Sequence, residues 1–369
     1  MELNGPVKWV LIVGVIAVVL FGINTFLPKA GVPVNGSPPP KAVSKDGLTL
    51  APELTGISGY INAPAGFKLS DAKGKVILVD FWTFSCINCI RTQPYLNAWQ
   101  EKYADKGLVI VGVHTPEFDF EKKLENVQEA VKKAGITYPV VLDNDFATWS
   151  AYANRYWPHK YLIDAEGYIR YDHIGEGGYE ETEEMIQQLL KERDAKIALG
   201  ENEMISDDVD ANTPDTEFEK IQTPEIYLGY QFARQPIGNP EGFKPEQTVA
   251  YTLPSTLERN QFYLDGNWTN KSDYMELASD TGKIVLPYHA KNVNIVAGTT
   301  GVVSVELDGN PISATEKGKS VTLNADGSNS VKISSQQLYS LVEDTNYFDK
   351  TITITVSGKG FRIYTFTFG

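Results

Sequence analysis

The chain has 369 residues, 42% hydrophobic and 22% charged, which suits two cored domains with tails better than one domain. A formal net charge of −14 excludes a nucleic-acid binder, and it excludes docking on anionic lipid through a basic patch. Only two cysteines are present, Cys86 and Cys89, so a disulfide-stapled secreted scaffold is excluded as well.

Residues 9–27 read WVLIVGVIAVVLFGINTFL, without a charge. As a helix this run spans roughly 28 Å, close to the hydrocarbon thickness of a bilayer. The apolar core of a cleaved signal is shorter, about 7–15 residues, and ends at a small-residue cleavage site. Ala30-Gly31 is a poor site, so residues 1–30 are expected to be an uncleaved, single-pass membrane anchor. The short tail before it and the large portion after it predict that the bulk of the chain lies on the extracytoplasmic side of the cell membrane. Residues 31–48, rich in Pro, Gly and Ser with Pro38, Pro39 and Pro40 in a row, read as a semi-rigid tether.

From 49 to 195 strand and helix patterns alternate. Residues 76–79, 108–113, 138–142, 160–164 and 168–173 read as strands, with Ala165-Glu166-Gly167 as a hairpin turn. Residues 86–103, 120–134 and 180–193 read as helices, the second stopped by Gly135. This predicts an α/β domain with a mixed central sheet and helices on both faces. Residues 196–222 carry Glu201, Glu203, Asp207, Asp208, Asp210, Asp215, Glu217 and Glu219 against Lys220, and read as a solvated acidic linker. From 223 to 369 short alternating runs such as VVSVEL and TITITV recur between turns at Asp308-Gly309, Asp326-Gly327 and Gly358-Lys359-Gly360. They predict an all-β sandwich, jelly-roll-like.

The chemistry concentrates in VILVDFWTFSCINCIRTQPY, residues 76–95. A buried strand runs into a short turn, and Cys86 falls where the next helix begins. The unpaired amides and positive dipole end there favour a thiolate, which is the attacking form of a cysteine. Cys89, one helical turn on, is placed to resolve a mixed disulfide. A structural zinc site needs about four ligands, whereas the four histidines His114, His159, His173 and His289 are scattered. Haem attachment needs a histidine directly after the second cysteine, and Ile90 stands there. A dithiol–disulfide centre without a separate cofactor is expected.

Asp80 lies six residues before Cys86, Trp82 four before it and Pro94 eight after it. These offsets resemble the active-site strand and helix of the thioredoxin family. The resemblance makes Asp80 the buried acid that takes the proton of Cys89, and burial at a strand end should raise its pKa accordingly. Tyr156-Trp157-Pro158-His159-Lys160 precedes another strand, where the family has a cis-proline against the two sulfurs; Pro158 is that residue by analogy. Trp157 departs from the small or β-branched residue usual before it. The insert containing HTPEFDF resembles the TlpA/ResA subgroup, in which an acidic residue approaches the cysteines, and Glu117 is the matching position.

The strings FWTFSCINCIRTQPY, GVHTPEF and TPEIYLGY resemble DipZ-type proteins, in which a thioredoxin-like domain precedes a β-sandwich resembling a carbohydrate-binding module. The likeness covers residues 50–369. DipZ-type proteins also carry a multi-helix CcdA-like electron-transfer domain. This chain has one apolar span, so its electrons are expected from a separate CcdA-like membrane donor. The expected activity is reduction of disulfides in exported protein partners through Cys86 and Cys89. Two other readings compete. One is a thiol peroxidase using Cys86, with Thr83 three residues before it but Val79 where that motif has proline. The other is an anchored glycan- or protein-binding module, with Trp268, Tyr274 and Tyr288 as candidates to stack on sugar rings.

Overall fold

The structure is a computed structural model that describes residues 44–45, 47–195, 199, 209 and 216–369. The expected anchor and most of the tether lie outside them. Among the described residues no helix is long and apolar enough to cross a membrane.

The first region is built on an eight-stranded sheet ordered β1-β2-β8-β7-β4-β5-β6-β3. Its strands are β1 Ser44–Lys45, β2 Leu48–Leu50, β3 Gly59–Ile61, β4 Val76–Trp82, β5 Leu108–His114, β6 Val140–Leu142, β7 His159–Ile163 and β8 Tyr168–Ile174. The helices are α1 Ile87–Tyr103, α2 Leu124–Lys133, the short α3 Ala147–Ala151 and α4 Tyr179–Arg193. The central strand β4 is VILVDFW and every residue in it is buried, so both faces must be covered, as an apolar run demands. It pairs in parallel with β5 and antiparallel with β7. Alternation divides the strand between two cores. Val76, Leu78 and Trp82 pack with Tyr95, Leu96 and Trp99 of α1 and Ile186, Leu189 and Leu190 of α4. Ile77, Val79 and Phe81 face the other way, with Leu69, Tyr152 and Tyr161. Asp80 shares the parity of the first set.

The helix expected over 120–134 is broken. A 3₁₀ turn at Asp119–Lys122 is followed by α2, with Lys123 extended between them at φ −78° and ψ 122°. The cause is Glu121, whose buried carboxylate accepts the backbone N–H groups of Glu117 and Phe118 at 2.6 and 2.9 Å. Those bonds fold the chain back, and the helix restarts one residue later. The predicted stop holds: Gly135 has φ +67° with open space around it. Gly135→Ala therefore meets only the left-handed backbone penalty, and should lower the urea midpoint by the equivalent of about 1 kcal/mol.

The second region is one antiparallel sheet of eleven strands. These are β9 Ile226–Tyr227, β10 Thr248–Tyr251, β11 Tyr263–Asn270, β12 Met275–Leu277, β13 Thr281–Gly298, β14 Gly301–Leu307, β15 Asn310–Pro311, β16 Thr322–Leu323, β17 Asn329–Ile333, β18 Gln337–Ser357 and β19 Arg362–Phe368. The long strands β13 and β18 pair along their length, with register shifts at 290–292 and 293–294. Before the shifts β13 has β11 as its other neighbour, and beyond them β19. Bulges of this kind bend a strand, and one hydrophobic cluster receives Ile284 and Leu286 from one half and Val293 and Ile295 from the other. Trp268 and Tyr288 belong to that cluster and are buried. Their rings therefore cannot stack on a sugar, which corrects the candidates read from sequence. Tyr274 is half-buried beneath the Arg362 guanidinium at 4.6 Å.

The two regions share a small core of their own. Phe118 and Phe120 of the first pack with Tyr227, Val296 and Tyr364 of the second, all buried. Phe118 and Phe120 stand 5.1 and 4.9 Å from the Tyr364 ring. In the intervening acidic stretch, Leu199 is buried and Val209 packs on the first region's core.

Candidate functional site: a cysteine pair over a buried acid and a buried lysine

Cys86 is the N-cap of α1, with φ −78° and ψ 120°. Its carbonyl accepts the Ile90 N–H at 3.0 Å, so the helix starts directly behind it and the free amides of the first turn face the same end. Cys86 is half-buried, Cys89 is fully buried, and both are free thiols. The Cys86 Sγ lies 4.0 Å from the Trp157 carbonyl oxygen. The Trp157-Pro158 peptide is cis, as the family resemblance implies. Trp157 fits this position because its indole is tied elsewhere: Nε1–H donates to the Thr115 carbonyl at 3.0 Å, and the ring packs 4.3 Å from Trp149. Its backbone is left beside the reactive sulfur.

Beneath the pair, Asp80 is buried, and its Oδ1 has no hydrogen-bond partner among the described residues. Burial pushes its carboxyl up to about 7, against the pull of the Lys160 charge. Burial, then the hydrogen bond with Cys86, pushes the Cys89 thiol well above its usual value. Trp82 is buried on the same face, edge-on to His114 at 5.2 Å. It needs a glycine beside it, since a Cβ on Gly112 would stand 2.9 Å from its Nε1.

Two residues were not anticipated. Lys160 sits opposite Asp80 in the β4–β7 register and is fully buried. Its Nζ donates to the Gly175 carbonyl at 3.2 Å and lies 5.4 Å over the Tyr179 ring. Burial lowers its pKa to about 8, with Asp80 opposing. The signal was available: Lys160 shares parity with Leu162 in a strand that reads as buried, so its side chain had to enter the core. The second is Glu121. The expectation for Glu117 is not met, because its carboxyl turns to the second region, where the Tyr227 hydroxyl donates to Oε1 at 2.5 Å. The carboxylate that reaches the cysteine turn is Glu121, accepting from the Ser85 hydroxyl at 2.6 Å.

The histidines have separate hydrogen-bond partners. His114 is buried and pushed down to about 3 by that burial, stacked on Phe84 at 5.6 Å. His159 bonds Asn154 and Asp172, and His289 bonds Asp349.

A mixed sheet in which a buried strand leads into a Cys-X-X-Cys helix start, faced by a cis-proline, defines a thioredoxin-like dithiol protein. Residues 49–190 match the Redoxin family and residues 223–369 match the thioredoxin like C-terminal domain family. The chain is 30% identical over 141 residues to thiol-disulfide oxidoreductase YkuV of Bacillus subtilis, covering 38% of this chain and 94% of that protein. It belongs to the thioredoxin-like thiol–disulfide oxidoreductase family. It is also 37% identical over 323 residues to protein DipZ of Mycobacterium bovis, an alignment covering 86% of this chain and 43% of that protein. The chain thus spans less than half the length of the DipZ relatives. A solved thiol:disulfide interchange protein of the thioredoxin family from Chlorobium tepidum is similar at 25% identity, with 40% of this chain and 99% of that one covered and a TM-score of 0.34.

Proposed function

We propose that this enzyme is a membrane-anchored, extracytoplasmic disulfide reductase working through Cys86 and Cys89. The observation that carries the reading is the pairing of a reachable sulfur with a buried one above Asp80 and Lys160. In the forward sequence the Cys86 thiolate attacks a substrate disulfide, forming a mixed disulfide and releasing one substrate thiolate. Asp80 then takes the Cys89 proton, and the Cys89 sulfur attacks Cys86 Sγ. The second substrate thiolate leaves and a Cys86–Cys89 disulfide remains. Two electrons have passed to the substrate, and a separate membrane dithiol donor of the CcdA type must return them. Pro158 supplies no N–H at the sulfurs, which leaves the Trp157 backbone to meet an extended substrate segment. Trp82 closes the core behind Cys89. We read residues 1–30 as the anchor and the all-β region as a jelly-roll-like sandwich, given that its two long strands feed one core from both halves.

The test is capture. In the full chain carrying Cys89→Ser, exported proteins should accumulate as mixed disulfides on Cys86 and be released by dithiothreitol. If Cys89→Ser captures no more than Cys86→Ser, the reading fails.

A further inference from the structure

The all-β region reaches the cysteine turn through a chain of hydrogen bonds that the proposed chemistry does not use. Ser85 immediately precedes Cys86, and its buried hydroxyl donates to Glu121 Oε1 at 2.6 Å. The other Glu121 oxygen accepts the backbone N–H of Glu117 and of Phe118. The side chain of that same Glu117 accepts from the Tyr227 hydroxyl. Phe84, on the other side of Ser85, packs against the aromatic cluster that joins the two regions. From Ser85 to Tyr227, four side chains and the Glu117 amide are linked without a gap, and the path crosses from one region to the other.

The far end of this path also counts protons. Tyr227 carries one hydroxyl hydrogen, yet Glu117 Oε1 stands at 2.5 Å and Glu225 Oε2 at 3.2 Å from its oxygen. One hydrogen serves both acceptors only as a shared, three-centre bond. Burial, then the Glu225 charge, pushes Glu117 up to about 8, and burial also raises Glu225. The other charged groups facing the cluster are Glu121 and Arg234, whose guanidinium lies 5.0 Å over the Tyr227 ring. At neutral pH Glu117 therefore keeps its proton, and the Tyr227 hydroxyl donates to a neutral carboxyl.

We propose that Ser85, Glu121, Glu117 and Tyr227 form a positioning relay through which the docked all-β region sets the redox equilibrium of the cysteine pair. None of the four touches the reacting sulfurs, so each acts through the turn that carries Cys86. The proposal rests on Cys86 and Cys89 forming a reversible disulfide. It adds that the second region is a working part of that centre rather than an appended binding module.

The experiment is a double-mutant cycle in the full chain, read as the dithiol–disulfide equilibrium constant in dithiothreitol buffers. Ser85→Ala and Tyr227→Phe remove one hydroxyl each and keep the surrounding packing. Each should shift the constant by about three- to tenfold, and the double variant should shift it no further than the larger single change, as coupled positions do. Ser85→Thr, which keeps a hydroxyl, should restore the wild-type value. The Tyr227→Phe effect should also grow above pH 8, where Glu117 gives up its proton and the Tyr227 hydroxyl donates to a carboxylate. Single variants that match wild type, or shifts that simply add, overturn the relay alone. A wild-type chain that forms no intramolecular disulfide overturns both the relay and the reading beneath it.

Discussion

Asp80→Asn is expected to slow the resolving step, attack of Cys89 on a Cys86 mixed disulfide, by about 10²-fold at neutral pH, the usual worth of a positioned general base. Capture of substrate by Cys86 should change little, since Asp80 lies beneath the buried sulfur. In wild type the resolving rate should rise with pH through about 7, because the carboxyl must be ionised to accept the proton and its ionisation is delayed to that value. In Asp80→Asn that inflection should vanish. Single-turnover acid quench, with mixed disulfide and released substrate separated on gels, reads both steps. An inflection near 7 that survives the substitution would remove Asp80 from the mechanism. Stability carries the same signature. The folded chain holds this proton to about pH 7, whereas an unperturbed Asp releases it near 3.8. The contribution is fully present below the lower value and is lost as pH rises through the upper one, by about 1.4 kcal/mol per pH unit within the window. Asp80→Asn should flatten that part of the urea-midpoint profile.

Lys160→Met should act on the same inflection in a different way. Lys160 opposes the burial that raises Asp80, so without its charge Asp80 holds its proton to higher pH. A rise of about one unit would leave roughly a tenth as much reactive carboxylate, and a resolving rate about tenfold lower at neutral pH. The loss should be recovered in alkaline buffer, which cannot rescue Asp80→Asn. Methionine fills a similar volume without a charge, so the core should remain packed. A Lys160→Met profile that still turns near 7 would show that the lysine serves the fold and not the proton.

The redox segment was legible because its signals are local. An apolar run sized for one buried strand, a turn, and a helix beginning at a cysteine all lie within residues 76–95, and the offsets of Asp80, Trp82 and Pro94 are distances along a single chain. Gly135 was legible for the same reason, since a left-handed residue after a helix needs no tertiary partner. The strands β1, β2 and β3 were not, being two or three residues long and held by their neighbours in the sheet. Two of the three sugar-stacking candidates failed because aromatic content does not say which face of a strand is inward, and the all-β core takes Trp268 and Tyr288 for itself.

What the amino-acid order determined alone is therefore the dithiol motif, the alternation of elements around it and the change to all-β texture after the acidic stretch, all set by short-range periodicity and caps. Tertiary structure decided which charged groups serve that motif. Lys160 meets Asp80 only through the register of β4 against β7. Glu121, not Glu117, bonds to the cysteine turn, while Glu117 turns to Tyr227 and Phe118 and Phe120 are buried against Tyr364, on a surface more than a hundred residues away.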